Sequence, residues 1–345
     1  MTRRSVRGIV VAGLCALLLG SCSGGGSNAA ETATVTTMAP LTGATETTSA
    51  TSTSSTSTAK SEPGEVFETG IRGSDIEAGS GAIWVEDHAN TNAIYRIDPK
   101  DGSASEPVPV GRPCGLAVAS GSVWVADLDG GRLVEIDAES GEIARSVNDF
   151  DGPCEPVVGG GFVWVPVGGG VARFDPRSGD AAVFRLRAPA NSNPDYPLSV
   201  AYHGESLWVA PTGGRRVLQL DPRTGSIIGA IKVPALPGVL AAGRGALWLA
   251  SEPNGILARL DPRKHAIAWT AEVDPPARVL EAFGSVWTTS YQSGTFTKVG
   301  RSNGRVEAVV DLLGNPNGVT ATGGRVWVMD TAVGDLHGFD PDDVS

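Results

Sequence analysis

Seven tryptophans set the period of this chain. Trp84, Trp124, Trp164, Trp208, Trp248, Trp287 and Trp327 are 40, 40, 44, 40, 39 and 40 residues apart, and only Trp269 falls outside the series. Members sit in similar phrases, such as Gly-Ala-Ile-Trp-Val from Gly81 and Gly-Ser-Val-Trp-Val from Gly121. Thirteen residues after four of them stands Asp137, Asp221, Asp261 or Asp340. Eleven residues before six of them stands Pro113, Pro153, Pro197, Pro237, Pro276 or Pro316. Three markers in register exclude an ordinary two-domain reading of the length, because each repeat must bury its apolar face on its neighbours.

One period divides into four short strands. In the second repeat these are Gly115–Ala119, Ser122–Asp127, Arg132–Asp137 and Glu142–Val147, with β-branched residues between Gly, Asp and Pro punctuation. The phrase Asp221-Pro222-Arg223-Thr224-Gly225 reads as a tight turn between the third and fourth strands. Four strands per 40 residues, seven times, specify an all-β fold: a seven-bladed β-propeller over 63–345 with four-stranded blades. The seventh repeat ends before its fourth strand. A spare segment, Glu65 to Thr69, precedes the first repeat, and the expectation is that 65–69 completes the last blade and closes the ring.

The pattern Gly-x-Val-Trp-Val followed by Asp-Pro-x-Thr-Gly resembles the YVTN-type and virginiamycin B lyase-like propeller repeats of bacteria. The resemblance covers nearly all of 64–341. It implies the fold and, in the lyase relatives, a metal-dependent chemistry that uses His and Glu. Of the four histidines, only His88 falls on the loop face where such a site would lie, so the lyase motif does not transfer residue by residue.

Residues 1–21 read as a lipoprotein signal peptide. Arg3, Arg4 and Arg7 precede an apolar run from Ile9 to Leu19, too short for a stable span. Leu19-Gly20-Ser21-Cys22 resembles the bacterial lipobox, which makes Cys22 the lipidation site. Residues 22–62 are rich in Ser and Thr and lack large apolar groups, so they are expected to form a disordered, lipid-anchored tether. The expected location is therefore exported, anchored to the cell membrane, with the propeller on the extracytoplasmic side. The formal charge of −11, with no Lys/Arg cluster, argues against nucleic acid as a partner. The expected partners are the membrane, through the lipid, and an envelope protein or glycan; the propeller is read as a monomer.

Function should lie where the repeats vary. Nine residues before each Trp stand Asp75, Gly115, Glu155, Ser199, Val239, Arg278 and Gly318. This ring belongs to the loops entering each blade, which share a face with the loops joining second to third strands. Together they offer Asp75, Asp87, His88, Asp127, Glu155, Arg278 and Tyr291 as ligand-binding candidates at the channel mouth. The plain alternative is a solvated loop face. No catalytic residue is assigned. A carboxylate site for Ca2+ or Mg2+ from Asp75, Asp87, Asp127 and Glu155 is the one cofactor option. Cys114 and Cys154 occupy the same place in adjacent repeats, either as a disulfide or as two packed thiols; an oxidising compartment favours the bond. The functional reading is an envelope-anchored binding module for a protein, glycan or small molecule, with a metal-dependent lyase or hydrolase as the alternative.

Overall fold

The computed structural model describes residues 64–186, 197–212, 214–312 and 314–345. The expected signal peptide and tether lie outside the described residues. The described chain forms seven four-stranded sheets, each antiparallel. The second blade runs Pro113–Ala119, Ser122–Asp127, Arg132–Asp137 and Ile143–Val147 from the axis outward. These bounds differ from the sequence expectation only at strand ends. Among the described residues the helical content is one short 3-10 turn, Glu252–Asn254.

The tryptophans explain the repeat. Each lies on the second strand and packs against the following blade: Trp84 meets Val123 and Val125, and Trp327 meets Ile83 and Val85. All seven are 2% exposed or less, so each buries one of the largest apolar surfaces a residue can offer. The indole N–H also needs a partner there. In five blades it donates to the carbonyl five residues earlier, as Trp164 does to Gly159 at 3.0 Å and Trp287 to Ala282 at 3.0 Å. Trp248 instead donates to Glu281 Oε2 of the next blade, at 2.8 Å.

The repeated Asp fixes the turn between third and fourth strands. Asp221 Oδ1 accepts from the backbone N–H of Arg223 at 2.7 Å and of Thr224 at 3.1 Å, and Gly225 takes φ +70°. The ring closes as the sequence implies. Glu65–Glu68 pairs with 335–338 as the outer strand of the last blade, and Phe67 stacks on Trp327 with ring centroids 5.5 Å apart. Glu65 also pairs with Arg325. The innermost strands of the first and last blades, Asp75–Gly79 and Pro316–Thr322, then lie side by side.

Candidate functional site

The mouth of the ring is built around one cation. Arg278 opens the inner strand of the sixth blade, Arg278–Ala282. Its Nη2 donates to Glu155 Oε1 of the third blade at 2.9 Å. Its Nε donates to Asp75 Oδ1 of the first blade at 3.4 Å. Blades three and six stand on opposite sides of the ring, so the guanidinium bridges the axis. All three side chains are largely withdrawn from water: 21% exposed for Arg278, 16% for Asp75 and 32% for Glu155. Burial pushes the Asp75 carboxyl up to about 7; Arg278 pulls it down, but Glu155 and Glu86 push it further up. Burial also works against the charge of Arg278, yet Glu155 and Asp75 more than offset it and hold the guanidinium firmly protonated.

Glu155 is placed by its neighbours. It has φ +47°, an uncommon conformation for a side-chain-bearing residue. Its N–H donates to Cys114 O at 2.7 Å, and Cys114 is bonded to Cys154 with Cα atoms 4.8 Å apart. The disulfide thus joins the inner edges of blades two and three next to Glu155. Gly115 completes this approach: a Cβ there would sit 2.7 Å from the Glu155 Cα.

A second polar group flanks the first. Glu86 is 2% exposed and accepts from Ser74 Oγ at 3.0 Å and from His88 Nδ1 at 2.9 Å, while its other oxygen accepts from the N–H of Gly115. The Glu86 hydrogen bond raises the His88 pKa against the opposing effect of burial. Ser74 Oγ also lies 3.0 Å from that same Nδ1. A Ser–His–carboxylate relay would need the hydroxyl on the far ring nitrogen, so this group is not a serine-hydrolase triad.

Two sequence candidates serve the scaffold instead. Asp87 Oδ1 accepts from the backbone of Asn90 at 3.0 Å, and its other oxygen from Thr91 Oγ1 at 3.2 Å. Asp127 Oδ1 accepts from the N–H of Arg112 and of Gly130, each at 3.0 Å, and Oδ2 pairs with Arg132 Nε at 2.7 Å. The same place in the last blade is Asp330, which accepts from Ala332 and Asn315. Asp127 and Asp330 pin the turn after the second strand to the loop entering the blade, while Asp87 braces its own turn. Replacing Asp127 by Ala is expected to cost about 2–3 kcal/mol in urea unfolding, because buried donors lose a charged acceptor. Tyr291 is 43% exposed on the rim and takes no part in the Arg278 hydrogen bonds and ion pairs.

The four carboxylates suggested for Ca2+ or Mg2+ are therefore not gathered. Asp75 and Glu155 straddle Arg278, while Asp87 and Asp127 are engaged in their own turns. Among the described residues no group of three or more His, Cys, Asp or Glu side chains is arranged to hold a metal. The remaining histidines lie elsewhere. His203 ends an inner strand, His265 hydrogen-bonds Gln219 at 2.6 Å, and His337 sits within the strand Asp335–Phe339. The donor set does not fit the His-and-Glu metal chemistry of the lyase relatives.

The sequence reading missed one residue. Glu77 lies two positions further along the inner strand from Asp75, in the strand Asp75–Gly79, and is solvent-exposed there. That strand is flanked by its own blade and by the inner strands of both neighbours, so the water it meets is water of the axial bore. The six equivalent positions, seven residues before each other Trp, are Ala117, Val157, Ala201, Ala241, Leu280 and Thr320. A single charge among six such residues was a readable signal. The water it meets is enclosed by the ring, and this partial desolvation, reinforced by the nearby Asp75 charge, raises the Glu77 carboxyl above the ordinary range.

Known proteins share this architecture. Virginiamycin B lyase from Staphylococcus aureus superposes with a TM-score of 0.65 at 17% identity, over 79% of this chain and 95% of that one. BamB from Moraxella catarrhalis superposes with a TM-score of 0.55 at 12% identity, over 76% and 81%. At these identities the likeness is one of fold. In sequence, 139 residues are 32% identical to pentonolactonase XacC of Haloferax volcanii, covering 34% of this chain and 46% of that protein. The chain thus spans less than half the length of that curated relative. No described helix is long and apolar enough to cross a membrane. Residues 90–344 match the family model PQQ_2, described as outer membrane protein assembly factor BamB, and with well over half of its length matched the chain belongs to that family.

Proposed function

We infer that this protein is an envelope-anchored binding module that takes its ligand at the channel mouth, on the Arg278, Asp75 and Glu155 constellation. The observation that carries the reading is the bridge itself. Three blades contribute charged side chains that meet at the axis, at ring positions where the repeats otherwise differ. A scaffold does not require a buried ion pair there, since apolar residues of similar volume commonly hold a core at least as well. Perturbed ionisable groups in a concave, multi-blade setting mark sites of binding or catalysis. Anchoring through Cys22, with 22–62 as tether, belongs to the same proposal and is supported by the lipobox resemblance and by the envelope setting of the matched family.

The metal-dependent lyase alternative has less support. It draws on the fold likeness, but among the described residues the mouth supplies one histidine and no gathered metal-ligand set. The test is a calorimetric screen of the purified protein against Ca2+, Mg2+, cell-wall fragments, envelope-protein peptides and small organic ions. A response abolished by Glu155→Gln supports the mouth as the site. Responses that all survive both Glu155→Gln and Asp75→Asn would place binding elsewhere.

A further inference from the structure

We propose that His337 is an acid-sensitive catch on the ring closure: the N-terminal strand Glu65–Glu68 stays on the last blade while the imidazole is neutral and comes away when it is protonated. The catch acts on the closure, whatever the mouth binds.

His337 lies in the middle of Asp335–Phe339, the third strand of the last blade. Its cross-strand neighbours are Val328 on one side and Val66 of the closing strand on the other. Residues directly opposite one another share a face of the sheet, so the imidazole stands between two valines. Both ring nitrogens are buried, and neither has a hydrogen-bond partner among the described residues. His88 and His265, by contrast, each hold a hydrogen bond. A neutral imidazole in such a place forgoes two hydrogen bonds. An imidazolium would bury a charge with no acceptor for either N–H, which costs far more.

The charged groups around it do not supply that acceptor. The next row on the same face of the sheet is Asp330, Asp335 and Glu68. Asp330 already accepts from the N–H groups of Ala332 and Asn315. Glu65 and Arg325 pair on the opposite face, with Phe67 and Trp327. The sixth blade packs here through Phe296 and Val310, which cluster with Val328 and Phe339. Of its charges, Lys298 is held by the carbonyls of Pro341 and Val344, and Glu307 lies beyond it beside Gly300. Asp311 stands opposite Thr295, on the other face of that blade. Burial holds the His337 pKa below its ordinary 6.5, against the upward pull of Asp330 and Asp335.

The closing strand decides whether that burial persists. It is four residues long, and without it Asp335–Phe339 becomes an open edge where water reaches the ring. A histidine whose pKa is lowered in the closed state takes its proton more readily in the open one. Closure is therefore at full strength above about pH 6.5 and weakens as pH falls below it.

Hydrogen exchange of the purified full chain at pH 7.5, 6.5 and 5.5, corrected for intrinsic exchange rates, is the test. All three values lie above the ordinary carboxylate range. Asp75 and Glu77 titrate higher, at the axis, and the His337 variants tell their effect from that of the imidazole. Opening of 65–68 and 335–338 should rise about tenfold from pH 7.5 to 5.5, as one histidine kept neutral only in the closed state requires. The outer strand of the second blade, Ile143–Val147, should not change. His337→Leu and His337→Gln, neutral at every pH, should each abolish the rise; two variants guard against one that does not fold. The proposal is overturned if acid leaves 65–68 equally or better protected, if Ile143–Val147 opens to the same extent, or if the rise survives in a folded variant.

Discussion

Replacing Arg278 by methionine is expected to lower stability by about 3 kcal/mol at pH 8.5 and by less than half of that at pH 5. Methionine keeps much of the apolar stem, so packing changes little. What disappears is the one cation between Asp75 and Glu155. At pH 8.5 the site must then either hold the Asp75 charge with no cation beside it or keep its carboxyl protonated against the solvent pH, and both cost stability. At pH 5 the outcome differs because of Asp75. Its folded pKa is about 7 against an ordinary 3.8, so the folded protein holds a proton there that the unfolded chain has already released. A carboxylate raised on folding makes stability fall as pH rises from the unfolded value to the folded one. In the wild type that window runs from about pH 4 to pH 7. Without Arg278, which pulls the value down, the window extends upward, so the deficit of the variant grows between pH 7 and pH 8.5. Urea unfolding at pH 5, 7 and 8.5 measures it. A deficit of equal size at all three values would mean that Arg278 contributes only through packing.

The axial bridge shows what one sequence can reveal and where it stops. Periodicity placed Asp75, Glu155 and Arg278 in a single ring, because residues at one repeat position of a closed ring must share a level and face one axis. The same logic made 65–69 the missing outer strand, since an unpaired sheet edge would otherwise remain. It could not tell Asp87 and Asp127 from carboxylates that face the axis, as Asp75 and Glu155 do. Both are acidic and both lie on the mouth face, but their carboxylates turn back to cap local N–H groups. That difference lies in side-chain direction, which a count along the chain does not contain. A partial cue was present: Asp recurs three residues after Trp84, Trp124 and Trp327, and recurrence marks the scaffold rather than the site. Gly130 was another cue, because a Cβ there would lie 2.2 Å from the Asp127 carboxylate. Glu77 escaped for the opposite reason. It lies two residues further along the strand than the ring that carries Asp75 and Arg278, away from the loops where the repeats differ most.

The disulfide should have the largest effect of any single bond in the molecule. Cys114 and Cys154 are 40 residues apart, and closing a loop of that size removes enough unfolded-chain entropy to stabilise the fold by about 4 kcal/mol. Reduction with dithiothreitol, or the pair Cys114→Ser and Cys154→Ser, should therefore lower the unfolding free energy by about 3–4 kcal/mol. The double variant should be insensitive to reductant. The bond also bears on the mouth. Glu155 follows Cys154 directly, keeps its positive φ, and donates its N–H to Cys114 O. Freed from the bond, this loop gains conformations in which Glu155 no longer reaches Arg278. Asp75 would then face Arg278 with one competing carboxylate fewer. Since Glu155 raises the Asp75 pKa, its departure should bring that value down towards the ordinary range. Carbon-13 NMR titration of the Asp75 carboxyl, with and without reductant, separates the two consequences. A stability loss with an unmoved Asp75 titration would make the disulfide a brace for the ring alone. A downward shift would show that the bond between blades two and three also sets the electrostatics of the mouth.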